Sequence, residues 1–320
     1  MKQSIKRIKK IFSAVLVVFL LSGCAGTESV LTEGETSDAM VPDAPLVLYY
    51  SFSGEVEQMA KEICKITDGQ CIRLNTAACY PEDDAIRMEH IQREQMEGVF
   101  PELDWNIEDM NQYDTVYIGT GLWNEDLPPA VKTFLSKKEL AGKVIIPFGT
   151  VGEMDSGEAV NIEELVKQVA DGAEVKKGFL QKSGETVNRT ELLSWLTETE
   201  QIIPIKIQAG ETELTGVLFH NKISEEFAGR LPLEVSLYQP ADFAKAFNLE
   251  EVLTEPVSRT RMLELGGLAY WPEGPAVALF FRDNVERTVV PVYTLGKVLD
   301  DVQVFEEYEG SIRITDSGID

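Results

Sequence analysis

Between residues 46 and 199, short apolar runs alternate with stretches of helical period, and no other feature constrains the fold as strongly. The runs over 46–50, 71–75, 115–120, 143–148 and 175–179 read as strands. The stretches over 55–66, 84–97, 129–135, 162–170 and 191–197 read as helices. A strand that returns to its sheet through a helix pairs in parallel, and the crossover helices cover the faces of that sheet. The pattern predicts an α/β, doubly wound parallel sheet of five strands. In such sheets ligands bind beyond the carboxyl ends of the strands, where the strand order reverses.

The character changes near Glu200. From Ile202 onward short strands are punctuated by Gly and Pro, and helical stretches are confined to 223–231 and 240–247. Closing with "SIRI", this half reads as an antiparallel barrel or sandwich. The expected domains are therefore 45–200 and 201–320, with no internal repeat.

The first residues are of another kind. Lys2, Lys6, Arg7, Lys9 and Lys10 precede an apolar run from Ile11 to Leu21, too short to span a bilayer comfortably. The segment 1–23 reads as an export signal. Leu21-Ser22-Gly23-Cys24 resembles a bacterial lipobox, which implies cleavage before Cys24 and acylation of that cysteine. Several acyl chains anchor a protein far more firmly than one. Residues 24–44 would then be the lipidated cysteine and a polar, acidic tether, holding the protein at the cell membrane on its extracytoplasmic face.

Removing the five basic residues from 29 Lys and Arg leaves 24 against 54 Asp and Glu, a formal charge of about −30. A nucleic-acid partner is excluded, because a phosphate backbone needs a basic surface. The acidic surface serves solubility or steers a basic partner protein. Cys64, Cys71 and Cys79 are too few for a disulfide scaffold, although Cys64 and Cys71 could meet across a helix-to-strand turn. With His90 and His220 the only histidines, a multi-histidine metal site is not available.

Three loops at strand carboxyl ends carry the candidate chemistry. The turn Ser51-Phe52-Ser53-Gly54-Glu55-Val56 sits where a helix would point its free N–H groups at an anion. The second loop, "GTGLWNEDLPPAVKTFL" from Gly119, contains Gly121, Leu122, Trp123 and Asn124. The third, "PFGTVGEMDSGE" from Pro147, contains Gly149, Thr150, Val151 and Gly152. Together with "YPEDD" at 80–84 and "REQMEGVFPEL" at 93–103, these loops resemble the FMN site of one bacterial flavodoxin branch.

The resemblance implies that all fourteen of these loop residues are FMN-binding positions: the first loop cradles the phosphate and the other two flank the flavin ring. Ser51, Ser53 and Gly54 match the family, whereas Glu55 and Val56 stand where Asn and Thr are usual. Val56 lacks a hydroxyl to donate, and Glu55 repels a phosphate unless its side chain turns away. In the second loop Gly119, Trp123 and Pro128 match. Gly121, Asn124 and Glu125 replace a proline, a tryptophan and a glycine. Trp123 at the tip of a polar loop suits a flat ring, the alternative being that it packs beneath the loop. In the third, Val151 and Glu153 replace more usual residues.

In the second half, "GGLAYWPEGPAVALFF" at 266–281 and "LPLEVSL" at 231–237 resemble the small bacterial cyclophilin-like β-barrels. The arginine-centred site of true cyclophilins is not apparent, so prolyl isomerase activity is not expected. Arg259, Arg261 and Arg282 are its loosest candidates, and Tyr270 and Trp271 serve either a ligand groove or barrel packing. The implied function is electron transfer through bound FMN in a membrane-tethered protein. A flavin-free envelope scaffold and a flavin-dependent quinone or NAD(P)H oxidoreductase are the alternatives.

Overall fold

The computed structural model describes residues 44–318, apart from 82, 105–106, 108, 153–159, 255–258, 263 and 283–286. The expected signal, Cys24, the tether to residue 43 and Glu153 lie outside the described residues.

Strand β1 (Leu46–Tyr50) is apolar and buried at every position, as a central parallel strand covered on both faces requires. Helix α1 (Glu55–Thr67) follows, with Val56, Met59, Ala60, Ile63 and Ile66 recurring at helical spacing on its buried face. Next come β2 (Gln70–Arg73), β3 (Asn75–Thr76), α2 (Asp84–Glu97) and β4 (Leu103–Asp104). Asp83 starts α2 by accepting the N–H groups of Ala85 and Ile86. The first half is completed by β5 (Thr115–Gly121), α3 (Pro129–Leu135), β6 (Val144–Val151), α4 (Ile162–Lys167), β7 (Glu174–Val175), β8 (Phe179–Lys182) and α5 (Arg189–Glu198).

The sheet runs β2-β1-β5-β6, with β7 and β8 both on the far edge of β6, and every pairing is parallel. One face packs Leu46, Leu48 and Tyr50 with α3 and α4; the other packs Val47 and Tyr49 with α1 and α5. This is the expected doubly wound sheet. The fifth strand departs from expectation: the single run over 175–179 is two short strands with a gap. Pro147 explains the gap. Val144 donates its N–H toward Asp114 beside β5, while Ile145 accepts from Lys176, so odd-numbered residues of β6 face β7 and β8. Pro147 has no N–H to give on that side, and the ladder breaks there.

The second half contains β9 (Ile202–Ala209), β10 (Thr212–Phe219), α6 (Lys222–Ala228), β11 (Leu233–Ser236), β12 (Tyr238–Ala241) and β13 (Ala244–Asn248). After these come β14 (Thr260–Met262), β15 (Gly267–Trp271), β16 (Ala276–Phe280), β17 (Arg287–Val298), α7 (Val304–Glu307) and β18 (Ser311–Asp316). They form one antiparallel sheet in the order β11-β18-β9-β10-β17-β15-β16-β13-β12, with β14 also on β17. Its core holds Ile205, Ile207, Leu218, Phe227, Phe247, Tyr270 and Phe305.

The helix expected over 240–247 is instead the β12–β13 hairpin. Ala244 and Ala246 are buried opposite Phe280 and Ala278 of β16, so sheet packing overrides alanine's helical preference. The helix expected over 223–231 ends earlier, with α6.

The two halves share a core. The cluster under α1 and α5 also contains Ile202, Val217, Phe219 and Leu299 from the barrel side. Arg189 pairs with Asp300 at 3.2 Å across the same contact, and the second oxygen of Asp300 accepts the N–H of Thr215.

Candidate functional site

The β1–α1 turn begins with Ser51, buried, whose hydroxyl accepts the N–H of Gly54 at 3.1 Å. Arg73 of β2 donates to the Ser51 carbonyl at 2.8 Å and brings a cation to the turn. Gly54 is left-handed, with φ of 87°, and a Cβ added there would meet only open space. A side chain is excluded by the backbone conformation alone.

No side chain caps the start of α1, and Gln58 is the first residue to donate within the helix, to Gly54. The N–H groups of Glu55, Val56 and Glu57 therefore form the open, electropositive end of a helix.

Glu55 is drawn sideways. Its carboxylate accepts the N–H of Gly184, beyond β8, at 2.7 Å and the hydroxyl of Ser53 at 3.3 Å. That displaces the charge from the helix axis without removing it. Val56 is buried in the core beneath α1, so only its backbone N–H remains for the site.

The second loop is a tight turn. Trp123 and Asp126 exchange backbone hydrogen bonds at 2.9 and 3.0 Å, and the two central residues, Asn124 and Glu125, have φ of 52° and 60°. Positive φ at both positions defines a type I′ turn, which favours Asn followed by Gly. Helix α2 straps it from outside. Gln95 donates to the carbonyls of Trp123 and Leu127 at 3.4 Å and accepts from Asn124, while Gln92 also donates to Asn124. Lys132 holds Asp126 at 2.5 Å. Leu122 is buried, and its N–H donates to Thr150 of the third loop.

The third loop continues β6. A Cβ on Gly149 would lie 1.7 Å from the Thr120 carbonyl oxygen, so only glycine lets β5 and β6 run side by side here. Thr150 is buried, Val151 is bonded to Ser183 through its carbonyl, and the space around Gly152 is open.

Between the first two loops lies a chain of rings. Tyr50 contacts Phe52 at 5.2 Å and Trp123 at 5.8 Å between centroids; Phe52 lies 5.5 Å from Trp123 with the planes tilted by 32°. Tyr80 meets Phe52 edge-on at 6.1 Å, and His90 meets Tyr80 at 5.2 Å. The Arg87 guanidinium lies 4.3 Å over the Phe52 ring. Glu94 fixes the outer pair, accepting from Tyr80 at 2.6 Å and contacting His90 at 3.2 Å. Burial pushes the Tyr50 and Tyr80 phenols well above their usual range, so both remain neutral.

The structure thus brings all three loops to one end of the sheet. Sequence reasoning missed Arg73, Arg87 and His90, while Glu94 and Gln95 lay within "REQMEGVFPEL" without being singled out. Tyr80 lay within "YPEDD", and that segment was the signal that the chain around α2 belongs to the site.

In the barrel, Tyr270 is fully buried and its hydroxyl accepts the N–H of Leu253, a packing role. Arg259 pairs with Glu273 at 2.7 Å and covers the Tyr293 ring at 4.9 Å; Arg282 pairs with Glu306 at 3.0 Å. Both cations are engaged in surface ion pairs. Nothing is described for the side chain of Arg261.

A doubly wound parallel sheet with its loops gathered at one end, joined to a β-rich barrel, defines a flavodoxin-like domain followed by a cyclophilin-like one. Residues 44–199 match the family described as Flavodoxin, and residues 207–316 match the Cyclophilin-like family. Among solved structures, a Lactobacillus acidophilus flavoprotein in complex with FMN is 25% identical. It aligns over 48% of this chain and 98% of its own, at a TM-score of 0.39. The apo form of the L. acidophilus flavoprotein aligns over 48% and 97%, at 25% identity and a TM-score of 0.36. A Bacteroides uniformis chain is 26% identical over 48% of this chain and 98% of its own, at a TM-score of 0.41. No curated protein matches.

Proposed function

We propose that this is an FMN-binding electron-transfer protein, tethered to a membrane through Cys24 and facing away from the cytoplasm. The observation that carries the cofactor is the uncapped start of α1, with open space at Gly54 and Glu55 drawn off to Gly184. These features fit a phosphate despite the eroded side chains. The Ser51–Val56 turn would hold it with backbone N–H groups, the Ser53 hydroxyl turning from Glu55 to the phosphate, and Arg73 brings a cation to the turn.

Bound FMN supplies the electron transfer. The chain's own residues orient it. Trp123 is fixed by its type I′ turn and by Gln95, while Gly149 to Gly152 present backbone groups at the adjacent edge. Phe52, 38% exposed, must turn off Trp123 before a flat ring can stack there. Surface acidity disfavours an anionic reduced ring and suits a basic partner protein.

The tether rests on the basic and apolar run before Cys24. Among the described residues no helix is long and apolar enough to cross a membrane.

Titration of the full chain with FMN, followed by flavin fluorescence, tests the reading. Saturable quenching at one FMN per chain, weakened about tenfold or more in Trp123→Ala, is expected. No binding at high micromolar FMN, by the chain or by Phe52→Ala, would overturn it. The flavin-free scaffold is favoured by the substitutions at Glu55, Val56 and Asn124 and by Phe52 packed on Trp123, and the Phe52→Ala arm addresses the packing.

A further inference from the structure

Cys64 lies in the last turn of α1, and Cys71 lies on the sheet-edge strand β2. Asp68, left-handed at φ 58°, reverses the chain between them. Cys71 is in parallel register with Val47 of β1, and residues in register project from the same face of a sheet. Val47 projects beneath α1, into the cluster against which Cys64 packs. The two side chains therefore face each other between helix and sheet edge.

The pair is asymmetric. Cys71 is exposed and Cys64 half-buried, and both are reduced here. The neighbouring Cys64 thiol, with the charge of Lys61, outweighs desolvation and holds the Cys71 thiol below its usual range. The neighbouring Cys71 thiol and burial push Cys64 up. Inward of Cys64 stands Tyr117, fully buried, with no hydrogen-bond partner for its hydroxyl. An exposed thiol backed by a shielded second thiol is the arrangement of an attacking and a resolving cysteine.

We propose that Cys64 and Cys71 form a redox-active dithiol that closes to a disulfide by exchange with an oxidised small thiol. The Cys71 thiolate attacks one sulfur of the incoming disulfide; a mixed disulfide forms and one thiolate leaves, taking up a proton from water. Cys64 then loses its proton and attacks the Cys71 sulfur, expelling the second thiol. Two cysteine thiols are oxidised and one small disulfide is reduced to two thiols. The closed bond pins the end of α1 to the sheet edge, leaving its opposite end, at the Ser51–Val56 turn, unchanged. This pair is independent of flavin binding.

The test equilibrates the full chain with oxidised glutathione, then alkylates and maps each cysteine by peptide mass spectrometry, with reduced protein alongside. Alkylation at Cys64 and Cys71 is expected to fall at least about tenfold, with a linked peptide pair lacking two hydrogens, while Cys79 alkylates equally in both samples. Cys64→Ser is expected to trap a glutathione adduct on Cys71, and Cys71→Ser to leave Cys64 unmodified. The proposal is overturned if Cys64 and Cys71 remain alkylatable at equilibrium, or if either links instead to Cys79.

Discussion

Glu55 and Phe52 are the two residues on which the candidate site turns. Glu55 keeps its negative charge a few ångströms from the open helix end, yet its contact with the Gly184 N–H needs only an oxygen acceptor. Glu55→Gln retains the acceptor and removes the charge. One like charge at the edge of a hydrated site is worth about 0.6 kcal/mol, so FMN affinity should tighten about threefold. Repeating the titration at high salt should shrink the difference, because screening removes the same term. Phe52 acts through packing. Its contact with Trp123 competes with a flavin ring, and an aromatic pair contributes about 0.5–1.5 kcal/mol. Phe52→Ala should therefore tighten FMN by roughly two- to tenfold. Weaker binding in that variant would mean that Phe52 is itself a stacking partner.

At the scale of elements, the second loop carries a conformational cost that its sequence makes visible. Glu125 occupies the position of a type I′ turn where glycine is free of strain, at φ 60°. A left-handed conformation costs a residue with a Cβ about 1 kcal/mol or slightly more. Glu125→Gly should raise the stability of the full chain by about that amount in urea unfolding, with Trp123 held as before by Gln95 and the paired bonds to Asp126. A loss of stability would show that the surface interaction of Glu125 outweighs the strain. The split of the last parallel strand belongs to the same scale, because one missing N–H at Pro147 separates β7 from β8 and leaves Gly184 where Glu55 reaches it.

For the whole molecule, the contact between the two halves contains a titrating pair. Burial, then the charge and hydrogen bond of Glu264, push the Asp68 carboxyl up to about 7. Burial also acts on Glu264, but hydrogen bonds from Lys297, at 2.5 Å, and from Asp68 outweigh it and hold Glu264 below its usual range. Asp68 thus carries the proton and donates it to Glu264. A carboxyl raised on folding binds its proton more tightly in the folded state, so its contribution is present at low pH and is lost as pH rises toward 7. Glu264 contributes in the opposite sense, above its usual value and lost only as pH falls through its lowered one. Between about pH 5 and about pH 7 the Asp68 effect dominates, and stability should fall by at most about 1.4 kcal/mol per pH unit.

Asp68→Asn keeps a donor to Glu264, tolerates the left-handed backbone and does not titrate. Its melting temperature should stay flatter than that of the parent over this range. His220 lines the same interdomain cavity and is common to both proteins, so the difference reports Asp68. Equal slopes would dissociate Asp68 from the pH response.

The sequence by itself determined the elements whose information is local. The apolar period set β1, α1 and α3 almost to the residue, and the polar helical stretch over 84–97 became α2 with the same bounds. The three loop positions were legible for the same reason, as strand ends followed by helix starts.

Tertiary structure alone decided whatever depends on neighbours distant in the chain. Residues 240–247 became a hairpin because β16 covers Ala244 and Ala246. Glu55 was drawn from the phosphate position by an N–H 129 residues away. Phe52, Trp123, Tyr80 and Arg87 became one cluster only when the first two loops met the chain around α2. Cys64 and Cys71 lie close in sequence, but only the parallel register of β2 with β1 turned them toward each other. A local pattern fixes which face a residue presents. What that face meets depends on segments packed against it from elsewhere in the chain, whose pairing energy does not appear in the residue's own neighbourhood.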